Sequence, residues 1–234
     1  MDRRQFNGVS ASMLLVALTF AHQRAYGLSL ADLSNADASK GLKAALEQGA
    51  LAAVGLLGQT DGFLGNEKVR IHLPGYLEDA AKLLRKLGQS KRVDELVTAM
   101  NRAAEAAVPL AKDLLVGAVK SMSVTDAKKI LSGGDTSVTG FFAEKTRAPL
   151  AVKFLPAVTR ATERVGLAEK YNHLAEKAAG LGLLSKEEAS VQQYVTGKSL
   201  DGLYYMIAEE ERKIRQDPIG AGSAILQKVF GALK

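Results

Sequence analysis

Two groups of polar residues in this 234-residue chain have types and spacing that could do chemistry. Asn101, Arg102 and Glu105 stand among Ala99, Ala103, Ala104, Ala106 and Ala107. Arg102 and Glu105 are three residues apart, which on a helix makes them neighbours able to pair. Alanines around them let other helices come close, so these groups are expected to be partly buried. Glu209 and Glu210, with Glu211, Arg212 and Arg215, follow Tyr204-Tyr205 on a late helix and pair in the same way. Buried charge is costly unless paired, so such groups either brace a fold or form a site. Carboxylates driven apart in pKa by burial would do acid–base work. Carboxylates satisfied by arginine would instead form a structural network, and the spacing favours that reading. If the chain has a binding site, Asn101, Arg102, Glu105, Glu209 and Glu210 are the residues expected in it. None is assigned a catalytic role.

Other chemistry finds little footing. The chain has no cysteine, which removes disulfides, thiolate nucleophiles and thiolate metal ligands. Beyond residue 27 the histidines are His72, in a Pro-bounded connector, and His173, between Glu169 and Lys177 on a solvated helix face. Zinc or general-base work needs convergent ligands or an orienting partner, so no metal and no cofactor are expected. Ser132-Gly133-Gly134-Asp135-Thr136 could offer backbone amides to an anion but lacks the Lys-Ser/Thr ending of a phosphate loop, and reads as a helix stop followed by a cap. Asp61, Asn66 and Glu67 lack the spacing of a calcium loop and read as a capped turn. Two basic groups, one of Lys82, Arg85, Lys86, Lys91 and Arg92, the other of Lys145, Arg147, Lys153, Arg160 and Arg164, could meet lipid head groups or an acidic partner. Helix-end dipoles and solvation are the simpler account of them, and the favoured one.

The elements that must position these residues begin after an export signal. Arg3-Arg4, an apolar stretch from Val9 to Ala21 and the small-residue site Ala25-Tyr26-Gly27 have the three parts of such a signal. The apolar run is shorter than the ~20 residues needed to span a bilayer. Arg3-Arg4-Gln5-Phe6 resembles the twin-arginine motif, with Asn7 where a leucine usually stands. Setting aside Arg3, Arg4, Arg24 and Asp2 leaves 28 basic and 24 acidic residues. That excess is too mild for a nucleic-acid protein.

From residue 28 to 234 the pattern is that of one helical domain. Hydrophobic residues make up 47% and aromatics only 6%, so the core must be built from Leu, Ala and Val, the first two strong helix formers. Leu42, Leu46, Ala50, Val54 and Leu57 recur at helical spacing in a first helix from about Asn35 or Asp37 to Leu57. Its segment from Gln48 to Thr60 carries no charge, so it should be central. Asp61-Gly62 marks a loop, and Val69, Ile71 and Leu73 an extended connector before Pro74. A helix from Tyr76 to Leu87 follows. The long stripe from Ser90 to Met122 should kink or split at Pro109. Thr125-Asp126 opens a short helix ending at Gly133. Further helices are expected at 136–147, 149–165, 167–180, 186–196, 199–215 and 218–231, with Ser185 and Glu188 as a capping box and Asp217-Pro218 as a helix start. The fold class is therefore all-α, a single irregular multi-helix bundle with short loops.

Asp61-Gly62-Phe63-Leu64-Gly65, Asn101-Arg102-Ala103-Ala104-Glu105, Leu131-Ser132-Gly133-Gly134-Asp135 and Glu209-Glu210 with Asp217-Pro218 occur in that order. Together they resemble a family of exported bacterial all-helical proteins catalogued only as a domain of unknown function. The resemblance runs from about Leu30 to Gly231 and implies a helical fold and an envelope location, with no activity and no catalytic residue to transfer. Three functions remain open: a non-enzymatic periplasmic binding or interaction protein with an envelope partner, a carrier of a hydrophobic ligand such as a lipid in an inter-helix cavity, and a hydrolase using buried carboxylates. The non-enzymatic reading leads. On export, the intact mass of the chain recovered from the periplasmic fraction should correspond to cleavage near Gly27; recovery of the uncleaved chain from the cytosol alone would contradict this.

Overall fold

The apolar stripes resolve into seven α-helices in the computed structural model, which describes residues 35–163, 169, 171–172 and 190–216. In chain order these are α1 (Asn35–Gly58), α2 (Gly75–Lys86), α3 (Ser90–Ala107), α4 (Lys112–Lys120), α5 (Val124–Ser132), α6 (Ser137–Thr162) and α7 (Val191–Gln216). A single 3-10 turn, Val108–Ala111, separates α3 from α4. Among the described residues there is no strand, and the fold is all-α. Also among them, no helix is long and apolar enough to cross a membrane. The expected helix at 167–180 is described only at Glu169, Tyr171 and Asn172, which are helical. The export signal, Arg164, His173, the Ser185–Glu188 box, Asp217-Pro218 and the 218–231 helix lie outside the described residues.

Helix α1, uncharged from Gln48 onward, buries Leu42, Leu46, Ala50, Ala53 and Leu57. It packs on α7, α4 and the 3-10 turn, and also touches α3 and α5. Pro109 divides the 90–122 stripe as its missing amide requires, the break being absorbed in the 3-10 turn. The short α5 starts one residue earlier than Thr125. Its capping box joins Ser123 to Asp126, and the bond from Ser123 holds the Asp126 carboxyl below its usual range.

Two expected breaks do not occur. The segments expected at 136–147 and 149–165 are, in their described part, one helix, α6, which runs through Pro149 and Pro156. Both prolines are seven residues apart on the exposed side, and so are Lys145 and Val152, whose carbonyls lose their helical donors. Water can satisfy those carbonyls. Meanwhile Val138, Phe142, Leu150, Phe154 and Val158 stay buried on the opposite side, and that continuous stripe outweighs the two missing bonds. Likewise the described part of the segment expected at 186–196, from Val191, merges with that expected at 199–215 into α7, which passes through Gly197 and keeps Val195, Ser199, Leu203, Met206 and Ile207 buried. Here α6 and α7 form the most extensive helix pair.

Phe63, in the loop after α1, is fully buried. Its ring lies against Gly202 of α7, where an added Cβ would stand 2.6 Å from Phe63 Cε1 and 3.4 Å from Val69 Cβ. Only glycine allows that approach. Gly202→Ala should therefore lower stability by about 1–3 kcal/mol through overpacking, read as a lower urea midpoint at unchanged slope; an unchanged midpoint would mean the ring is free to shift.

Candidate functional site

Residues 59–74 have no helix to satisfy their amides, and α3 supplies the missing partners. The Glu105 carboxylate is buried, and its Oε1 accepts from the amides of Phe63 and Leu64, each at 3.1 Å. Its Oε2 accepts from Arg102 at 2.7 Å. The other arm of the Arg102 guanidinium reaches Asp61 Oδ1 at 2.7 Å. These bonds, that to Glu105 above all, hold the guanidinium above its usual range. Asn101 is fully buried and treats Ile71 as a strand would: Oδ1 accepts from the Ile71 amide at 2.8 Å, and Nδ2 donates to the Ile71 carbonyl at 2.9 Å and to Val97 O at 2.8 Å. Asp61 itself sits at φ 65°, and Gly62 follows because a Cβ there would lie 2.4 Å from Leu57 O at the end of α1.

Thus Asn101, Arg102 and Glu105 act together on one loop, whereas Glu209 and Glu210 stand elsewhere, on α7. Glu209 accepts from Lys68 at 3.2 Å and pairs with Arg212, and the Lys68 bond is the main reason its carboxyl lies below the usual range. Glu210 pairs with Lys213 at 2.7 Å. Lys68 belongs to the same loop, so Glu209 holds the loop from its other side. Asp61 is engaged by Arg102, and Asn66 Oδ1 accepts from the amide of Lys68, as in a capped turn. His72 is exposed, and its carbonyl accepts from Tyr194. Among the described residues no cluster of three His, Asp or Glu could hold a metal ion.

The buried member of the late acidic run is Glu211. Its Oε1 accepts from the Val138 amide at 3.1 Å and its Oε2 from the Thr139 amide at 3.1 Å. Thr136 provides no side-chain cap to α6, and Glu211 supplies one from another helix. Arg215 completes the group, donating to Glu211 at 3.0 Å, to Ser137 Oγ at 2.7 Å and to Ile130 O at the end of α5. Sequence reasoning did not single out Glu211. The signal was present: it lies four residues after Ile207 and seven after Tyr204, both buried, so it shares their face.

Between α6 and α7 runs an open groove of about 620 Å3. Ala143, Ala148, Ala151, Gly197 and Leu200 line it, with Val152 and Leu155 exposed along one lip and Glu144, Arg147 and Gln193 around it. Thr196 also lines it; its hydroxyl is buried and has no hydrogen-bond partner among the described residues. Arg147 is held at the rim by Asp201 at 2.6 Å and lies 5.8 Å from the centre of the Tyr204 ring. Small side chains on both helices create this hollow.

A family model described as a protein of unknown function (DUF4197) matches residues 32–231. The chain belongs to this family. The DUF4197 match spans every described helix, from α1 through α7. No curated protein and no solved structure matches the chain.

The internal partners of Asn101 and Glu105 set an order of sensitivities for this DUF4197 chain. Glu105→Ala strands two loop amides and a guanidinium and should cost about 3–5 kcal/mol. Asn101→Ala strands both backbone groups of Ile71, about 1–3 kcal/mol for each group left buried. Arg102→Ala should cost less than Glu105→Ala, because its side chain is 38% exposed and solvent screens the loss. Urea unfolding of the three variants checks the order; equal and negligible losses would show that the residues do not brace the loop.

Proposed function

We propose that this DUF4197 chain is a non-enzymatic binding protein of the periplasm whose ligand carries an apolar chain that lies in the groove between α6 and α7. The single observation that carries the reading is the groove itself. Its volume falls within the ~300–1,000 Å3 usual for small-ligand sites, and its lining combines apolar side chains with one unpartnered buried hydroxyl, that of Thr196. Apolar surface left open to water gains free energy when a ligand covers it, at roughly 25 cal/mol per Å2.

The buried carboxylates support this reading over a hydrolase. Glu105 and Glu211 each spend both oxygens on backbone amides and an arginine, at separate places in the fold. The periplasmic location is supported by the Arg3-Arg4 start, the short apolar stretch and the Ala25-Tyr26-Gly27 site.

A fluorescent long-chain fatty acid titrated into the protein should bind saturably. Gly197→Leu should weaken that binding at least about tenfold, or ~1.4 kcal/mol, because a side chain at Gly197 meets nothing within 4 Å and would project into open space at the groove. Gly117→Leu, at an equally open glycine on α4, should leave it unchanged. Absence of saturable uptake, or equal binding by wild type and Gly197→Leu, would refute the assignment.

A further inference from the structure

A second hollow, of about 430 Å3, lies where the 66–74 connector meets α7. Lys68 and Arg70 enter it from the connector and Lys198 from α7, with Tyr194 and Tyr205 beside them. The acid in the lining is Asp201. Its closest cation is Arg147, at 2.6 Å, while Lys198 stands 3.9 Å away, at the limit of an ion pair. Among the described residues Arg70 pairs with Glu67, at 3.4 Å, and that glutamate is 78% exposed. Lys68 is the best neutralised, through Glu209. Three cationic side chains therefore line the hollow with one acid, Asp201, among them.

One atom is left in an unfavourable state. Arg70 Nε is buried and has no hydrogen-bond partner among the described residues. The side chain as a whole is nevertheless 34% exposed, so the residue stays open to an anion in the hollow that it lines. Arginine and lysine differ in what they offer such an anion: the guanidinium a planar fork, the ammonium groups point charges. A tetrahedral group with several terminal oxygens can meet all three cations at once, which a flat carboxylate with two oxygens does less well. The hollow is also larger than a bare oxyanion, and Tyr194 and Tyr205 offer aromatic surface to whatever the oxyanion is attached to.

We propose that this hollow is a binding site for a phosphate monoester, with Arg70 and Lys198 as the principal contacts and Lys68 as a third. It is separate from the α6–α7 groove. Along α7 the groove takes residues 193, 196, 197 and 200, whereas the hollow takes 194, 198, 201, 202 and 205, a face turned by about one residue step of ~100°.

Calorimetry of the full chain with glycerol phosphate, and with inorganic phosphate alone, tests the soluble form of this chemistry. Flotation with phosphatidylcholine vesicles containing or lacking phosphatidic acid tests the lipid-borne form. Saturable binding in either assay is expected, weakened at least tenfold by Arg70→Met and by Lys198→Met and unaffected by Gly197→Leu. Binding to glycerol phosphate but not to vesicles identifies a soluble ester; the reverse identifies a lipid head group. If Arg70→Met fails to fold, the exposed Lys198→Met still decides. No binding in either assay, or binding that both variants retain, overturns the proposal. Because the fatty-acid titration reads the groove alone, each site can fail without the other.

Discussion

The structure depends on a carboxylate inside a protein that has few other ways to hold a long loop. After α1 the chain must return to α2 across residues 59–74 without a ladder of its own, and its amides cannot be left dry. Glu105 solves this because an ionised carboxylate is a pure acceptor with room for several donors. It takes the amides of Phe63 and Leu64 and the guanidinium of Arg102 together. The consequence reaches further than the loop. With its amide fixed, Phe63 directs its ring into the core against Gly202, so one side chain of α3 sets the spacing between the α1 loop and α7. Asn101 repeats the device one turn earlier, at Ile71.

Glu211 does for α6 what Glu105 does for the loop. The first amides of a helix have no internal acceptor, and the helix dipole favours negative charge there. Val138 and Thr139 find their acceptor on α7, and Arg215 offsets the charge while reaching the end of α5. In both networks a glutamate stands within one helical turn of its arginine, so each buried group carries its own counter-charge. Removing the partner of a buried charge is more damaging than never having had the pair. That asymmetry explains why the two networks can be essential to the arrangement without adding much net stability.

Helix type and order were legible because they rest on local pattern. The α1 stripe, the break at Pro109 and the turn at Asp61-Gly62 follow from spacing and from what proline and glycine do to the backbone. Breaks expected near Pro149 and Gly197 did not follow, because whether a missing bond ends a helix depends on which side faces water. The alanines around Asn101, Arg102 and Glu105 correctly suggested burial of two of the three, Asn101 and Glu105. Among the late glutamates, the buried one was readable from its distance to Ile207 and Tyr204, yet proximity to tyrosines in sequence pointed to Glu209 and Glu210 instead. Neither the groove nor the cationic hollow could be read, since each joins an element to α7 from far along the chain.

What makes α7 able to serve two different surfaces is the pairing of Arg147 with Asp201. Arg147 borders the groove and Asp201 borders the hollow. Their 2.6 Å contact spends the acid of one surface on the cation of the other. Without it, Asp201 would be free to neutralise Lys198 and Arg147 would leave a positive charge beside apolar walls. With it, the groove keeps a rim whose charge is offset and the hollow keeps its cationic excess. A charge pair at partial exposure contributes little to stability. Its value here is in distribution: it sorts apolar from cationic surface across a single helix, which is what allows one element to border two sites of opposite chemical character.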